Sequence, residues 1–315
     1  MANSIEIHGY RDIVRRWADN PLITIGDLDF KCSDIRNAAV VLYQDETLLL
    51  VTIEHLVGQQ NIHLAHRINK HKYYVHPEPF LRPSSNKKYA QHESRGVMDP
   101  RVTRIDGTYY ITYLALGDHG YRIGLAKTKD FKTVKRVGII SQPDSKAGVL
   151  FPKKFNGSFA RLETPHEGSS IWITYSKDLI YWGRSELIIS PRSGYWDSDR
   201  IGAGAPPIEI DEGWLLIYYG AKETSAGPIY RVGAVILDKA NPAKVIGRSN
   251  VSILAPREKY ERIGDLPNII FSVGAICKDK TNLHIFYGAA DSCICGGSTK
   301  MQEVIALCME GKEGY

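Results

Sequence analysis

The stretch Val102–Leu116, VTRIDGTYYITYLAL, sets two alternating runs on either side of Asp106-Gly107. Side chains that alternate with a period of two mark a strand, and an Asp-Gly pair between two such runs suits a tight turn whose residues need positive φ. The stretch predicts a β-hairpin. It returns as PKKFNGSFARLETP (Pro152–Pro165), PPIEIDEGWLLIYYGA (Pro206–Ala221) and GAICKDKTNLHIFYGAAD (Gly274–Asp291), and more loosely as AAVVLYQDETLLLVTIEH (Ala38–His55). A second phrase follows several of them: YRIGLAKTKDFKTVKRVG (Tyr121–Gly138), SIWITYSKDLIYWGRSE (Ser170–Glu186) and YRVGAVILDKANPAKVIGRS (Tyr230–Ser249). Each adds a third strand, a polar corner at Lys129-Asp130, Lys177-Asp178 or Lys239 to Pro242, and a fourth strand.

The repeating unit is therefore a four-stranded antiparallel sheet of roughly 50 to 60 residues, the size of a propeller blade. Five such units fill the chain. The expected fold is all-β, a five-bladed β-propeller forming a single domain over residues 1–315 with short N-terminal and C-terminal extensions. A two-sheet sandwich accounts for many short strands but not for a repeat of this length. Helical periodicity is confined to RDIVRRW (Arg11–Trp17) and MQEVIAL (Met301–Leu307).

The formal net charge is +5, and the lysines and arginines are scattered. No basic run marks a polyanion partner, so nucleic acid is not the expected ligand. The N-terminus has no apolar core of signal-peptide length, and no window approaches the roughly 18 apolar residues of a membrane span. A cytoplasmic chain with no membrane partner is expected. The cysteines, Cys32, Cys277, Cys293, Cys295 and Cys308, are odd in number, and four of them crowd near the C-terminus. They read as reduced thiols, and Cys293-x-Cys295 has no second pair at zinc-ribbon spacing, so no metal is expected.

In a propeller the inner strands converge on one axis, and the loops entering them ring a pocket. The phrases at those entries are IRNAAV with Asn37, MDPRVT with Asp99, LFPKK with Lys153, DRIGAGAPP with Arg200 and DLPNIIF with Asn268. Asp99 has two readings on its own residues. Asp-Pro commonly starts a turn, whereas glycosidic cleavage needs an acid for the leaving oxygen and an attacking group on the other face of the sugar.

These phrases, together with SKDLIYWG, GWLLIYYG and YGAAD, resemble glycoside hydrolase family 130, the β-mannoside phosphorylases and their relatives, from about Asn20 to Asp291 in the right order. The resemblance implies a five-bladed propeller that acts on β-mannosides with inversion at the anomeric carbon. It makes Asp99 the general acid, passing its proton to the glycosidic oxygen through the mannosyl 3-hydroxyl while phosphate attacks the opposite face, with α-mannose 1-phosphate as product. It also places Asn37 and Asp291 around the mannosyl unit, where amide and carboxylate groups suit the paired donors and acceptors of vicinal diols. Tyr109, Tyr113, Tyr218, Tyr219 and Tyr287 offer faces to stack on sugars, although strand packing is the plainer role for most.

At the phosphate site the sequence departs from the family pattern. Where the resemblance implies an arginine in the LFP phrase, a second arginine, a lysine and a histidine, this chain has Lys153, Thr164, Arg200 and Tyr219. Arginine grips two anion oxygens in a fork and lysine acts as a point charge, so the exchange keeps charge and moves the anion. Thr164 gives up a charge-assisted contact worth about 1.5–3 kcal/mol when desolvated. Thr52 likewise stands where the family carries an arginine.

Three activities stay open on the sequence. Reversible phosphorolysis of β-linked manno-oligosaccharides uses inorganic phosphate. Transfer from GDP-mannose would build β-mannan oligosaccharides, and hydrolysis would need a carboxylate base, with Glu163, Glu209, Glu212 and Glu223 as candidates. In each case the partner is a mannose-containing oligosaccharide, and no cofactor is expected beyond phosphate or a nucleotide sugar as co-substrate. A propeller that only binds glycans or proteins is the non-enzymatic alternative, and it has no use for an acid at Asp99.

Overall fold

A computed structural model describes residues 12–69, 72–165 and 169–311. Two short strands open it, β1 (Arg15–Arg16) and β2 (Ile23–Thr24). The first unit follows as β3 (Asp34–Tyr43), β4 (Glu46–Glu54), β5 (Gln60–Arg67) and β6 (Tyr73–Val75). Helix α1 (Lys87–Glu93) leads into the second, β7 (Gly96–Ile105), β8 (Thr108–Gly117), β9 (Gly120–Thr128) and β10 (Lys135–Ile139). The third is β11 (Lys146–Leu150), β12 (Phe159–Thr164), β13 (Ile171–Ser176) and β14 (Trp182–Ile189). The fourth comprises β15 (Arg200–Ala203), β16 (Ile208–Ile210), β17 (Gly213–Lys222), β18 (Ile229–Leu237) and β19 (Val245–Arg248). After α2 (Lys259–Arg262) the fifth runs β20 (Ile270–Cys277), β21 (Asn282–Ala289) and β22 (Cys293–Lys300), and α3 (Met301–Glu310) closes the described chain.

The hairpin turns follow the sequence reading. Asp106 and Gly107 have φ of 49° and 75°, and Asn156 and Gly157 have 47° and 73°, the left-handed values that Asn, Asp and Gly tolerate best. The corners repeat as well. Asp130 accepts the amides of Lys132 and Thr133, Asp178 those of Ile180 and Tyr181, and Asp238 those of Ala240 and Asn241. Each carboxylate replaces a backbone partner where the chain turns from third strand to fourth.

These strands lie in four sheets rather than five. The first two units are joined into one eight-stranded sheet by a single parallel pair, Gln60 opposite Gly96. Gly96 has φ +144°, and a Cβ on it would lie 2.8 Å from the Gln60 amide nitrogen, so only glycine permits the approach. The expected helical stretch over Arg11–Trp17 is corrected: Arg11 lies outside the described residues, and Arg15 and Arg16 pair as strand with Ser298 and Gly297. With β2 also on β22, the start of the described chain completes the last sheet. The free edge of β22 supplies backbone partners that an isolated helical turn would have to find for itself. The C-terminal expectation corresponds to α3.

Five apolar clusters lie between units. They join first to second (Leu50 with Ile111), second to third (Ile123 with Leu150), third to fourth (Leu162 with Trp214), fourth to fifth (Ile217 with Ile285) and fifth back to first (Phe286 with Leu49). Strands covered on both faces read as continuous apolar runs, as in GWLLIYYGA of β17.

A polar tie recurs in three units. Tyr113, Tyr218 and Tyr287 occupy equivalent positions on the second strands and donate their hydroxyls to Glu93, Asp197 and Glu261 at 2.7, 2.7 and 3.0 Å. An arginine from the outer strand closes each tie: Arg136 to Glu93 at 2.7 Å, Arg248 to Asp197 at 2.6 Å and Arg16 to Glu261 at 2.7 Å. All three carboxylates are buried, and each joins the segment entering a unit to its middle and its rim. The five cysteines are unpaired; Cys293 and Cys295 are buried with Sγ atoms 3.8 Å apart. Among the described residues no helix is long and apolar enough to cross a membrane.

Candidate active site

Three first strands carry the same irregularity near their start. Register slips between Arg36 and Ala38 in β3, between Met98 and Arg101 in β7 and between Lys146 and Val149 in β11. At each slip a non-glycine residue adopts positive φ: Asn37 at 48°, Asp99 at 50° and Ala147 at 53°. A bulge leaves a residue unpaired and re-aims its side chain, which is how a strand presents function without losing its ladder.

The first two bulges bring Asn37 and Asp99 together. Asn37 Nδ2 donates to Asp99 Oδ1 at 2.7 Å, and the Asp99 amide donates to Thr52 Oγ1 at 3.0 Å. Thr52, at the position of the expected arginine, is fully buried and fixes the backbone of Asp99. Behind it, Arg101 is buried and donates to the carbonyls of Asp99, Ala203 and Gly204. Asp99 is half-buried, and the bulge holds its Oδ1 against Asn37. A Cβ on Gly288 of the YGAAD phrase would lie 2.5 Å from Asn37 Oδ1, so that glycine makes room for the amide.

Asp291 follows in the same phrase. Ala290 and Asp291 have φ of 48° and 50°, and the Asp291 carboxylate lies 3.6 Å from Arg36. Burial pushes Asp291 up to about 6; Arg36 opposes the rise, while Asp99, Asp34 and Asp265 add to it. The negative charge of Asp99 is therefore felt at Asp291.

A cavity of about 290 Å³ is lined by Lys146, Thr164, Arg200 and Tyr219, with Tyr121 and Asp199, and Asp99 is close enough to act on Lys146 and Tyr219 there. Lys146 is drawn below the ordinary lysine range by burial and by Arg200, against the pull of Asp99. Its ammonium stands over the Tyr121 ring at 5.9 Å. Arg200 donates to Asp199 at 2.6 Å and approaches Glu223 at 3.5 Å, which blunts but does not cancel its charge. Burial holds the Tyr219 hydroxyl well above the usual phenol range, and its ring packs on Phe271 at 4.6 Å. Thr164 is buried, and its hydroxyl reaches toward the Ile201 carbonyl at 3.5 Å.

Of the residues singled out in the sequence, Asn37, Asp99 and Asp291 gather at one place, and Thr164, Arg200 and Tyr219 line the adjoining cavity. Lys153 does not join them: it is exposed in the turn after β11 and is not among the residues lining the cavity. The lysine that lines the cavity is Lys146, on the inner strand itself. The signal was present in SKAGVLF, where Lys146 stands before the apolar run as Arg36 does in IRNAAV. Tyr113, Tyr218 and Tyr287 are committed to their carboxylates, and Tyr109 packs on Phe131 at 4.8 Å, so of the tyrosines considered for stacking only Tyr219 faces the cavity. Glu163 is held by Arg161 at 2.7 Å, Glu209 lies 3.5 Å from Lys239, and Glu212 is exposed. No cluster of His, Cys, Asp and Glu able to hold a metal occurs among the described residues.

A family model described as β-1,4-mannooligosaccharide phosphorylase matches residues 23–310. A 1,2-β-oligomannan phosphorylase of Thermoanaerobacter sp. is 39% identical over 217 residues, 68% of this chain and 71% of that protein. A β-1,4-mannooligosaccharide phosphorylase of Ruminococcus albus is 30% identical over 305 residues, covering 94% and 90%. Among solved structures, the β-1,2-mannobiose phosphorylase of Listeria innocua in complex with β-1,2-mannobiose superposes with a TM-score of 0.84 at 28% identity, covering 94% of this chain and 99% of that one. With a match over nearly its whole length and the acid, amide and cation of its inner strands gathered at one place, the chain belongs to glycoside hydrolase family 130.

Proposed function

We propose that this chain is a β-mannoside phosphorylase, which cleaves β-linked manno-oligosaccharides reversibly with inorganic phosphate to give α-mannose 1-phosphate. One observation carries the reading: Asp99 is bonded to Asn37 and lies close enough to act on Asp291 and, at the cationic cavity that Lys146 and Arg200 line, on Lys146 and Tyr219. An inverting displacement needs an acid for the leaving oxygen and an anion on the opposite face of the ring, and the groups around Asp99 offer both. Asp99 gives its proton to the leaving oxygen, directly or through the mannosyl 3-hydroxyl, as the C1–O bond breaks. A phosphate oxygen forms the new bond to C1, and the resulting monoester releases a proton that resets Asp99. Lys146 and Arg200 hold the phosphate, while Thr164 and Tyr219 offer hydroxyls in place of further cations.

The scaffold fits a single domain built as a five-bladed propeller, since five clusters link the five units in a cycle. Hydrolysis is less well served, because Glu163 is tied to Arg161, and Asp199 and Glu223 are drawn to Arg200. The test is to incubate the purified protein with β-1,2- and β-1,4-mannobiose, with and without phosphate, and separately with GDP-mannose and mannose. Mannose 1-phosphate that forms only with phosphate supports the reading. GDP release with growth of oligomers and no phosphorolysis overturns it.

A further inference from the structure

The bulge in β3 re-aims one of two successive side chains, Asn37, which the proposed reaction uses. The other, Arg36, is surrounded by carboxylates. Its NH2 group lies 3.0 Å from Asp34, 2.9 Å from Glu54 and 4.0 Å from Asp265, and its NH1 group lies 3.6 Å from Asp291. Its side chain is only 12% exposed, and Nε is buried with no hydrogen-bond partner among the described residues. One guanidinium thus serves four acids from three parts of the chain. Arg36 keeps its register opposite Thr52 and reaches Asp291, while the unpaired Asn37 is re-aimed to Asp99.

We propose that Arg36 is a positioning residue: it keeps Asp291 charged and oriented toward the sugar beside Asp99, and so sets the acid limit of activity. This rests on Asp291 being a sugar ligand, as read above. The groups acting on Asp291 are Arg36 and Asp34 from β3, Asp99 from β7, Asp265 from the segment before β20, and Tyr230 from β18. Arg36 is the cation among them. It lowers the titration of Asp291, whereas Asp99, Asp34 and Asp265 raise it. As a carboxylate, Asp291 accepts hydrogen bonds from sugar hydroxyls; once protonated it loses that capacity at one oxygen. Activity should therefore fall as pH drops through the folded-state value of about 6, and any change that raises this value should move the fall to higher pH.

Two substitutions of opposite sign test the coupling. Arg36→Gln removes the cation, and Asp265→Asn removes an anion that is 60% exposed and outside the reaction machinery. The Asp291 carboxyl is followed by ¹³C NMR across pH without substrate, and kcat and KM for mannobiose and phosphate are measured over the same range. The Asp291 midpoint is expected to rise by roughly one pH unit or more in Arg36→Gln, the shift a neighbouring cation ordinarily provides, and to fall in Asp265→Asn. The acid limb should follow each shift, KM for the mannoside should rise more than KM for phosphate in Arg36→Gln, and Arg36→Lys should restore the limb while leaving KM elevated. Midpoints that stay put in both variants, or an Arg36→Lys enzyme no better than Arg36→Gln, would overturn the proposal. Shifted midpoints in a protein with no phosphorolysis would sustain the coupling and count against the phosphorylase reading instead.

Discussion

Replacing Lys146 with methionine removes the ammonium while keeping most of the side-chain volume, which isolates the charge from the packing. Lys146 lines the cavity together with Arg200 and is half-buried, so its contact with an anion is only partly screened. A charge-assisted contact of this kind is worth about 1.5–3 kcal/mol. At 1.4 kcal/mol per decade that is roughly a 10- to 150-fold rise in KM for phosphate. Asn37 and Asp291 rather than Lys146 are the proposed sugar ligands, so KM for the mannoside should change by less than about threefold, under the 1.4 kcal/mol of one decade. The assay is the initial rate of mannose 1-phosphate formation at saturating mannobiose with phosphate varied, and the converse. Lys153→Ala is the paired control: the side chain is exposed beyond the cavity, and both constants should stay within error of the parent. A Lys153 variant that weakens phosphate as much as Lys146→Met would refute the assignment of the cation to the bulge of β11.

Asp99→Asn should abolish turnover, to below a tenth of the parent rate, with the thermal transition little changed, because Asn keeps the shape and loses only the proton; higher residual activity would assign the acid elsewhere. Gly288→Ala places a methyl 2.5 Å from Asn37 Oδ1. It should lower kcat/KM by roughly tenfold or more and cost about 1–3 kcal/mol of stability, as overpacking does, read by steady-state kinetics and denaturant titration. Asp197→Ala strips the carboxylate from Arg192, Arg248 and Tyr218. Breaking such a buried tie should cost about 3–5 kcal/mol, and a urea midpoint that hardly moves would show that the ties are incidental.

The hairpins were legible because Asp106-Gly107 and Asn156-Gly157 encode turn geometry in adjacent residues. Asp99 and Asn37 were legible through the phrases around them. Lys146 was not, because its role depends on a bulge at Ala147, a residue with no propensity for positive φ, and the eye falls instead on the lysines of LFPKK. The joining of the first two units at Gly96 rests on one close backbone approach that RGVMDP does not advertise. The carboxylate ties were hidden for another reason: Arg16 and Glu261 stand 245 residues apart, and no local pattern pairs a rim arginine with an acid from another segment. Arg36 looked like an ordinary polar strand residue until the fold surrounded it with acids.

The most direct test of the central claim is an early time course by ¹H and ³¹P NMR of the purified protein with mannobiose in phosphate buffer, beside the same reaction without phosphate. Asp99 acting as acid across the ring from the Lys146–Arg200 cavity predicts that mannose 1-phosphate appears first and only as the α-anomer, in step with phosphate consumption, and that the phosphate-free sample stays unchanged. Free mannose released at equal rates in both samples would contradict it.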